Sequence, residues 1–506
     1  MWRRSSLALV GILGVTLSGA GLALHISQAY ASHGATWYVD NGPTGSDNNT
    51  CTSSSKPCLT IQAAMNKANA GDTISIAANT YPGGFTITKN LTLTGGKGGQ
   101  PTIFGGSPVI TVPSGVTAKL GNLTFTGSDT GISNLGTLTL TSSVVHNNSS
   151  YGVVNQSGAT ATLTGVTVSN SGTGISNAGT MSFTGGYVNS NSSGGISNPG
   201  ALSVTASTVN DNAGNGIANP GTLTVATSAI DANSNSGISN SGGATVTGTS
   251  INTNSNGGIN NQGTMTVSGS TISGNTAGQG GGVYTSGSMT LANSAVTANT
   301  ANNGSGGGIF NNTSGLTVVN TTISGNRAEN NSGGGIANAG GVSLTNVTIS
   351  NNSTTGQGGG VYNMGAGYTG LENSAIAGNS SFYGGGDCSG TALSDGNGAH
   401  SNNLIGIGDG CGLTNGQNGD QVGSSGSPLN ADLNPLAPYG GPTLTMQPQA
   451  GSPLIGAAWG PTCLTTGKSG VNNVDQRGYP RNAGAPGKGR GVCDIGAYDT
   501  EGAGRS

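Results

Sequence analysis

The sequence predicts an all-β chain: a right-handed parallel β-helix (solenoid), with a short N-terminal capping helix and an irregular, disulfide-stapled C-terminal region. Three observations point to it. First, a short motif recurs eleven times between Gly131 and Asn379. It opens with Gly, an aliphatic, any residue and Asn, then passes through a turn into a Thr-Leu-Thr-Val-like run. Its opening glycines advance in six steps of 21 or 22 residues and then four of 24 to 27. A fixed period of this size marks stacked units too small to bury a core alone. Second, apolar residues inside each copy alternate with period two. Ile132, Leu138, Leu140 and Val145 point inward, while Thr137 and Thr139 point out. Third, Gly and Asn separate these runs, where a chain of L-residues must turn at positive φ. Three strands and three turns fit one period, so each copy closes a triangular coil, and parallel crossovers are overwhelmingly right-handed.

Stacking is what makes such a coil stable. Four inward aliphatics supply roughly 8 kcal/mol of gross burial at about 2 kcal/mol each. Ordering one period of backbone costs more, at about 1–2 kcal/mol per residue.

Two asparagine columns fit the same coil. One comprises Asn134, Asn155, Asn177, Asn198, Asn219, Asn240, Asn261, Asn311, Asn338 and Asn363, with Thr285 as the exception. The other runs from Asn148 to Asn379, with Ser171 as the exception. Stacked amides hydrogen-bond along the fibre direction and satisfy turn backbone groups. Glycosylation is the competing reading of these asparagines.

In chain order, Arg3 and Arg4 precede an apolar run from Leu7 to Leu24 and the small-residue site Ala29-Tyr30-Ala31. Residues 1–31 thus read as a secretory signal peptide, with a retained anchor as the rival and a twin-arginine signal weakly indicated. Residues 32–130 form an N-terminal cap and first irregular coils. Here Thr60–Ala70 reads as a helix burying Ile61, Ala64, Met65 and Ala68, and strands are expected at Thr73–Ile76, Phe85–Ile87, Leu91–Leu93, Val109–Val112 and Leu123–Phe125. Residues 131–379 are the regular coils, and 380–506 an irregular region rich in Gly, Pro, Asn and Asp.

Composition fits export. Gly is 97 of 506 residues and only 6% of the chain is charged. Net charge is −3, hence −5 without the two leader arginines, which gives nucleic-acid binding no electrostatic basis. All six cysteines flank the repeats. Their spacing suggests local pairs Cys51–Cys58, Cys388–Cys411 and Cys463–Cys493 among fifteen connectivities, as staples at the two ends. A zinc site is the rival reading. No further membrane segment is expected, and the chain reads as a monomer.

The stretch TWYVDNGPTGSDNNTCTSSSKPCLTIQAAMNKANAGDTISIAANTY resembles the amino-terminal cap of secreted bacterial β-helix proteins of the pectin-lyase-like superfamily. GGGVY, GGGIF and ISGN are similar to repeats of polymorphic outer-membrane proteins. NPLAPYGGPTLTMQPQAGSPLIGAA, VDQRGYPRNAG and GVCDIGAYD resemble the choice-of-anchor Q domain, which closes many such proteins ahead of a surface anchor. Met446 stands where that domain commonly has His, Gly456-Ala457-Ala458 replaces an Asp-bearing turn, and no sorting motif follows Tyr498. The resemblances imply fold and export rather than a reaction.

Enzymes of that superfamily need charged groups on an outer face, namely acidic calcium ligands with a basic residue, or clustered carboxylates. Between Gly131 and Asn379 the charged residues are Asp211, Asp231, Arg327, Glu329 and Glu372. Asp211 and Asp231 lie on neighbouring coils, one residue out of register, and read as solvated turn residues before a paired-carboxylate site. His146 reads as a surface residue. No cofactor is expected; the Asp40–Asn49 loop with Asp47 reads as a turn, with calcium as its rival. Asp475 with Arg477, and Asp494 with Arg481, are expected to form ion pairs that pin the tail. One outward column changes character: it carries Tyr284, Phe310, Ala337 and Tyr362 in the last four copies, after long Gly-rich loops. Exposed aromatics on successive coils would form a glycan-binding stripe; the loops burying them is the rival reading. The expected function is binding or structural display at the cell surface or outside it, with polysaccharide or cell-surface components as partners. A polysaccharide-active lyase, hydrolase or epimerase is the alternative.

Overall fold

The computed structural model describes residues 34–96, 98–396, 400–459, 462–463, 472–481 and 493–500. The expected leader and its cleavage site after Ala31 lie outside the described residues.

The chain winds into a parallel β-helix whose three walls are sheets of 16, 14 and 16 strands, with a fourth, five-stranded ridge. Each strand pairs with its counterpart one coil away and in the same register. Leu138 stands over Ala161, Val153 over Ile175, and Val145 over Val168. Ile132, Leu138, Leu140 and Val145 are buried, and the aliphatic columns merge into one core along the axis. The ladders pass through residues 130 and 379 without a break, from Thr36–Val39 at one end to Gln421–Val422 at the other. The irregular spacing before Gly131 therefore reflects turn length, not a different fold.

The capping helix spans Ile61–Lys67. Thr60 is its N-cap, its side chain accepting from the Ala63 N–H. Ile61, Ala64, Met65 and Ala68 all enter the core, where they close the first coil. Expected strands appear at Thr73–Ile76, Phe85–Thr86, Leu91–Gly95, Ile110–Val112 and Thr124–Thr126.

The opening glycines do not serve the purpose expected of them. None from Gly131 to Gly360 has positive φ. A Cβ at Gly237 would lie 2.7 Å from Asn254 Nδ2 and 2.8 Å from the Gly258 carbonyl oxygen of the next coil. The column is glycine because successive coils touch there. Positive φ falls at two other corners, for example Ser142 and Asn147, then Ala206 and Asp211 three coils on.

The cysteines pair as Cys51–Cys58, Cys388–Cys411 and Cys463–Cys493. Their placement departs from two end staples. Cys388 and Cys411 belong to the main core, whereas Cys463 and Cys493 belong to a second cluster with Leu404, Ala431, Leu454 and Ile495. That cluster lies on the flank of the helix, because the C-terminal region runs back along the third sheet. Thr322 Oγ1 donates to Gln476 Oε1 at 2.6 Å, and the Ala497 N–H donates to Thr348 Oγ1 at 3.0 Å. This cover buries the outward hydroxyls of the last coils.

Candidate functional site

Three outer surfaces differ in what they present. On the third sheet the C-terminal region covers the last coils. Arg477 is buried there, with Nη2 2.6 Å from Asp475 Oδ2, and its guanidinium lies 3.5 Å from the Tyr498 ring centroid. The second expected ion pair does not form as such. Arg481 donates to the carbonyl oxygens of Val474, Asp494 and Gly496 and to Asn320 Oδ1. The Asp494 carboxylate instead accepts the N–H groups of Gly456 and Thr500. Arg481 ties the tail to the helix at Asn320, whereas Arg477 bonds within the C-terminal region, to Asp475 and to the Tyr439 and Asp499 carbonyls.

On the 14-stranded second sheet the aromatic column is in line. Asn260, Tyr284, Phe310, Ala337 and Tyr362 occupy successive positions of one register. Tyr284 and Phe310 stack with ring centroids 5.5 Å apart and planes 7° from parallel. Exposure is uneven: Phe310 is only 8% exposed, while Tyr284 and Tyr362 are half-buried. At Phe310 the reading in which the long loop covers the ring holds. The ring is buried because the preceding loop lies flat on its strand, with Gly306 at φ 74° and its missing Cβ 2.8 Å from the Phe310 nitrogen. Ala337 interrupts the rings, so Tyr362 stands apart from the stacked pair. The free side of Tyr284 opens on a groove of about 320 Å³ lined by Asn256, Asn260, Gln279 and glycine backbone.

The first asparagine column lies inside the coil. Each Nδ2 donates to the next Oδ1, at 2.7 Å for Asn134 to Asn155 and for Asn198 to Asn219. Each also donates to a turn carbonyl of the following coil, as Asn198 does to Thr222 at 2.9 Å. At Thr285 the hydroxyl accepts from Asn261 and donates to the Gly287 carbonyl, and the column resumes at Asn311. The second column behaves likewise from Asn191 to Asn379 and ends on Asp387, whose Oδ1 accepts Asn379 Nδ2 at 2.8 Å.

The charged residues of the coils do not converge. The Asp231 carboxyl is raised by burial, against a hydrogen bond from Asn252 N–H and with Asp211 adding a like charge. Asp211 follows Asn210, the residue paired with Asp231. Arg327 pairs with Glu329 on the fourth ridge, 3.4 Å apart and half exposed. His146 is half-buried between Thr126 and Ser169 of adjacent coils. In the N-terminal loop both Asp47 oxygens accept from Leu59 and Thr60, which makes Asp47 a helix-terminus anchor. Among the described residues no group of three or more potential metal ligands occurs.

Two features were not foreseen. Ser401 Oγ contacts Asp395 Oδ1 at 3.0 Å and Asp420 Oδ1 at 2.9 Å. Asp420 is 2% exposed, and burial pushes its carboxyl up to about 7, helped by Asp395 and opposed by the Asn403 N–H. Twenty-five residues separate the two in sequence, and only the coil brings them together. Phe382 and Tyr383 are 78% and 71% exposed and meet edge-on at 4.9 Å. Their SFYGGGD run is a further copy of the Gly-rich loop motif, and counting copies beyond Asn379 would have found it.

No protein-family model and no curated protein matches the sequence. Among solved structures the chain is similar to pectate lyase Pel9A, with 14% identity, a TM-score of 0.33, and 92% of this chain and 96% of that one covered. It is also similar to the A-module of the mannuronan C-5 epimerase AlgE6 of Azotobacter vinelandii (14% identity, TM-score 0.33, 68% and 94% covered). A third similarity is to the PL6 family alginate lyase AlyGC (12% identity, TM-score 0.30, 68% and 79% covered). At these scores the similarity carries no argument about activity, and the architecture rests on the chain's own strand pairing.

Proposed function

We propose that this chain is a secreted β-helix that acts by binding polysaccharide or cell-surface glycan on its second sheet. The observation that carries the reading is the Tyr284 ring, stacked on Phe310 and facing an amide-lined groove. A sugar ring offers C–H groups to an aromatic face and hydroxyls to amides, and this groove supplies both partners. Phe310 takes the role of a support that fixes the Tyr284 plane, and Tyr362 that of a separate outer contact. The Cys51–Cys58, Cys388–Cys411 and Cys463–Cys493 pairs fit an oxidising compartment. Attachment to the surface would come through the C-terminal region that resembles the choice-of-anchor Q domain.

The enzyme alternative requires an acid or base in the groove. The carboxyl with the near-neutral pKa, Asp420, is buried among hydrogen-bond partners at the end of the core, so it serves the fold in this reading. A glycan array on the mature protein, followed by titration of each hit with wild type and Tyr284→Ala, tests the proposal. A loss of about 1 kcal/mol, roughly fivefold in affinity, is expected. Equal affinities would remove Tyr284 from the site. Turnover of any hit in lyase, hydrolase or epimerase assays would favour the alternative.

A further inference from the structure

The 16-stranded first sheet presents a surface that the glycan reading does not use. Its outward residues form three parallel lanes, because each strand in this stretch exposes alternate positions in register with its neighbours. The central lane carries a hydroxyl on ten successive strands, from Thr139 through Thr162, Thr224, Thr245 and Thr266 to Ser343. The flanking lanes are mostly Thr and Ser, as in Thr160–Thr164 and Thr264–Ser268. No charge and no aromatic ring stands on the three lanes between Lys119, one strand before, and Tyr368 and Glu372, one strand after. The central lane is uncovered; on the flanking lanes only Val319 and Thr345, on the last two strands, are buried. The central residues are exposed or half-exposed, and no hydrogen bond joins their hydroxyls to any described residue.

These features together define the ligand. The lanes repeat at about 4.8 Å along the axis and about 6.8 Å along the strands, over an area of roughly 40 by 14 Å. Each Thr hydroxyl is held by a β-branched side chain with few rotamers, on a backbone fixed by ladders on both sides. A charged polymer finds no counter-charge here, and a sugar face finds no ring to stack on. A flat, neutral partner with hydrogen-bonding groups at matching intervals in two dimensions satisfies the whole array at once. Hexagonal ice has oxygen rows whose two repeats lie close to these. We propose that the Thr/Ser-faced sheet is an ice-binding surface, whose ligand is the crystalline water lattice.

The proposal is independent of the glycan site, which lies on a different sheet. The mature full chain is assayed for thermal hysteresis, ice-crystal shaping and inhibition of ice recrystallisation. Wild type is expected to facet ice crystals and halt their coarsening. Thr224→Tyr and, separately, Thr266→Lys place bulk or charge in the middle of the flat lane. Each should reduce the activity roughly tenfold, the loss expected from about 1.4 kcal/mol of contact. Ser197→Tyr, on the outward face of the second sheet, should leave it unchanged, and far-UV circular dichroism melts report whether each variant is folded. A wild type without effect on ice overturns the proposal. So does full activity in both folded lane variants, or a binding preference for crystalline cellulose over ice that the lane variants abolish.

Discussion

Replacing Asp420 by Asn should raise stability above neutral pH and remove a pH dependence that the wild type carries. Asp420 Oδ1 accepts the Asn403 N–H at 2.7 Å, Asn403 Nδ2 at 3.2 Å and Ser401 Oγ at 2.9 Å, while Oδ2 is buried without a partner. Burial, with Asp395 alongside, raises the folded carboxyl from 3.8 to about 7. A raised folded pKa means that the native state holds the proton more tightly than the unfolded chain. The stabilisation is complete below about pH 4 and is lost as pH rises through 7. Between pH 5 and pH 8 the loss is on the order of 3 kcal/mol. An Asn keeps the three acceptor contacts and points an N–H₂ at Asp395 in place of the orphaned oxygen. Urea melts of wild type and Asp420→Asn at pH 5 and pH 8 check this, read by a probe in the last coils because solenoids unfold in parts. The wild type should lose stability over this interval and the variant should not. Identical slopes for the two proteins would refute the assignment of the buried proton to Asp420.

Other expectations follow from single contacts. Asn219→Ala removes an amide that donates to Asn240 Oδ1 at 2.7 Å and to the Gly243 and Gly221 carbonyls, so denaturant melts should show a loss of about 3 kcal/mol. Gly237→Ala puts a methyl within 3 Å of the next coil and should cost about 1–3 kcal/mol in the same assay, without any change of backbone φ region. Phe310→Ala should lower the melting temperature clearly, as loss of a buried ring costs about 3 kcal/mol. Tyr284→Ala should barely move it, and equal melts for the two would contradict their unequal burial.

The repeat made the coil legible because its period, its inward aliphatics and its Asn columns are all local patterns that recur. Ile132, Leu138 and Val145 could be placed inward from one copy alone. Contacts made by stacking were harder to read. The opening glycines looked like turn residues, yet what matters is a carbonyl one coil away, invisible until the coils are superposed. Phe310 faces outward by alternation, and the long Gly-rich loop before it, itself visible in the sequence, is what buries it. Asp395 and Asp420 lie in a segment without periodicity, so no pattern indicated that their carboxyls share a serine hydroxyl. The lateral course of the C-terminal region was hidden for the same reason: its anchors, Gln476 and Arg481, meet Thr322 and Asn320 more than 150 residues earlier.

The amide columns have a direction, and it explains why the C-terminal end carries buried acids. From Asn191 on, every Nδ2 of the second column donates to the next Oδ1, one coil further, so this run starts on an open acceptor and ends on an open donor; Asn148 Nδ2 instead donates to the Phe125 and His146 carbonyls. At the start, Asn191 Oδ1 accepts the Ser171 N–H at 3.0 Å. At the end, the last partner must accept on all sides, because another amide would carry the donor problem one step further. Asp387 meets that need: Oδ1 accepts from Asn379 N–H and Nδ2, and Oδ2 accepts the Ile407 N–H at 2.7 Å. Burial raises its pKa, but three donors face its oxygens, unlike the partnerless Oδ2 of Asp420. Asp387→Asn would turn an N–H₂ toward the Ile407 N–H and leave two donors opposed in a buried site. It should cost about 1–3 kcal/mol at pH 7, opposite in sign to Asp420→Asn above neutrality. Thermal melts of the two single variants, measured side by side at pH 8, decide it. If Asp387→Asn is as stable as wild type, column polarity does not select the terminal residue, and the acid is there for another reason.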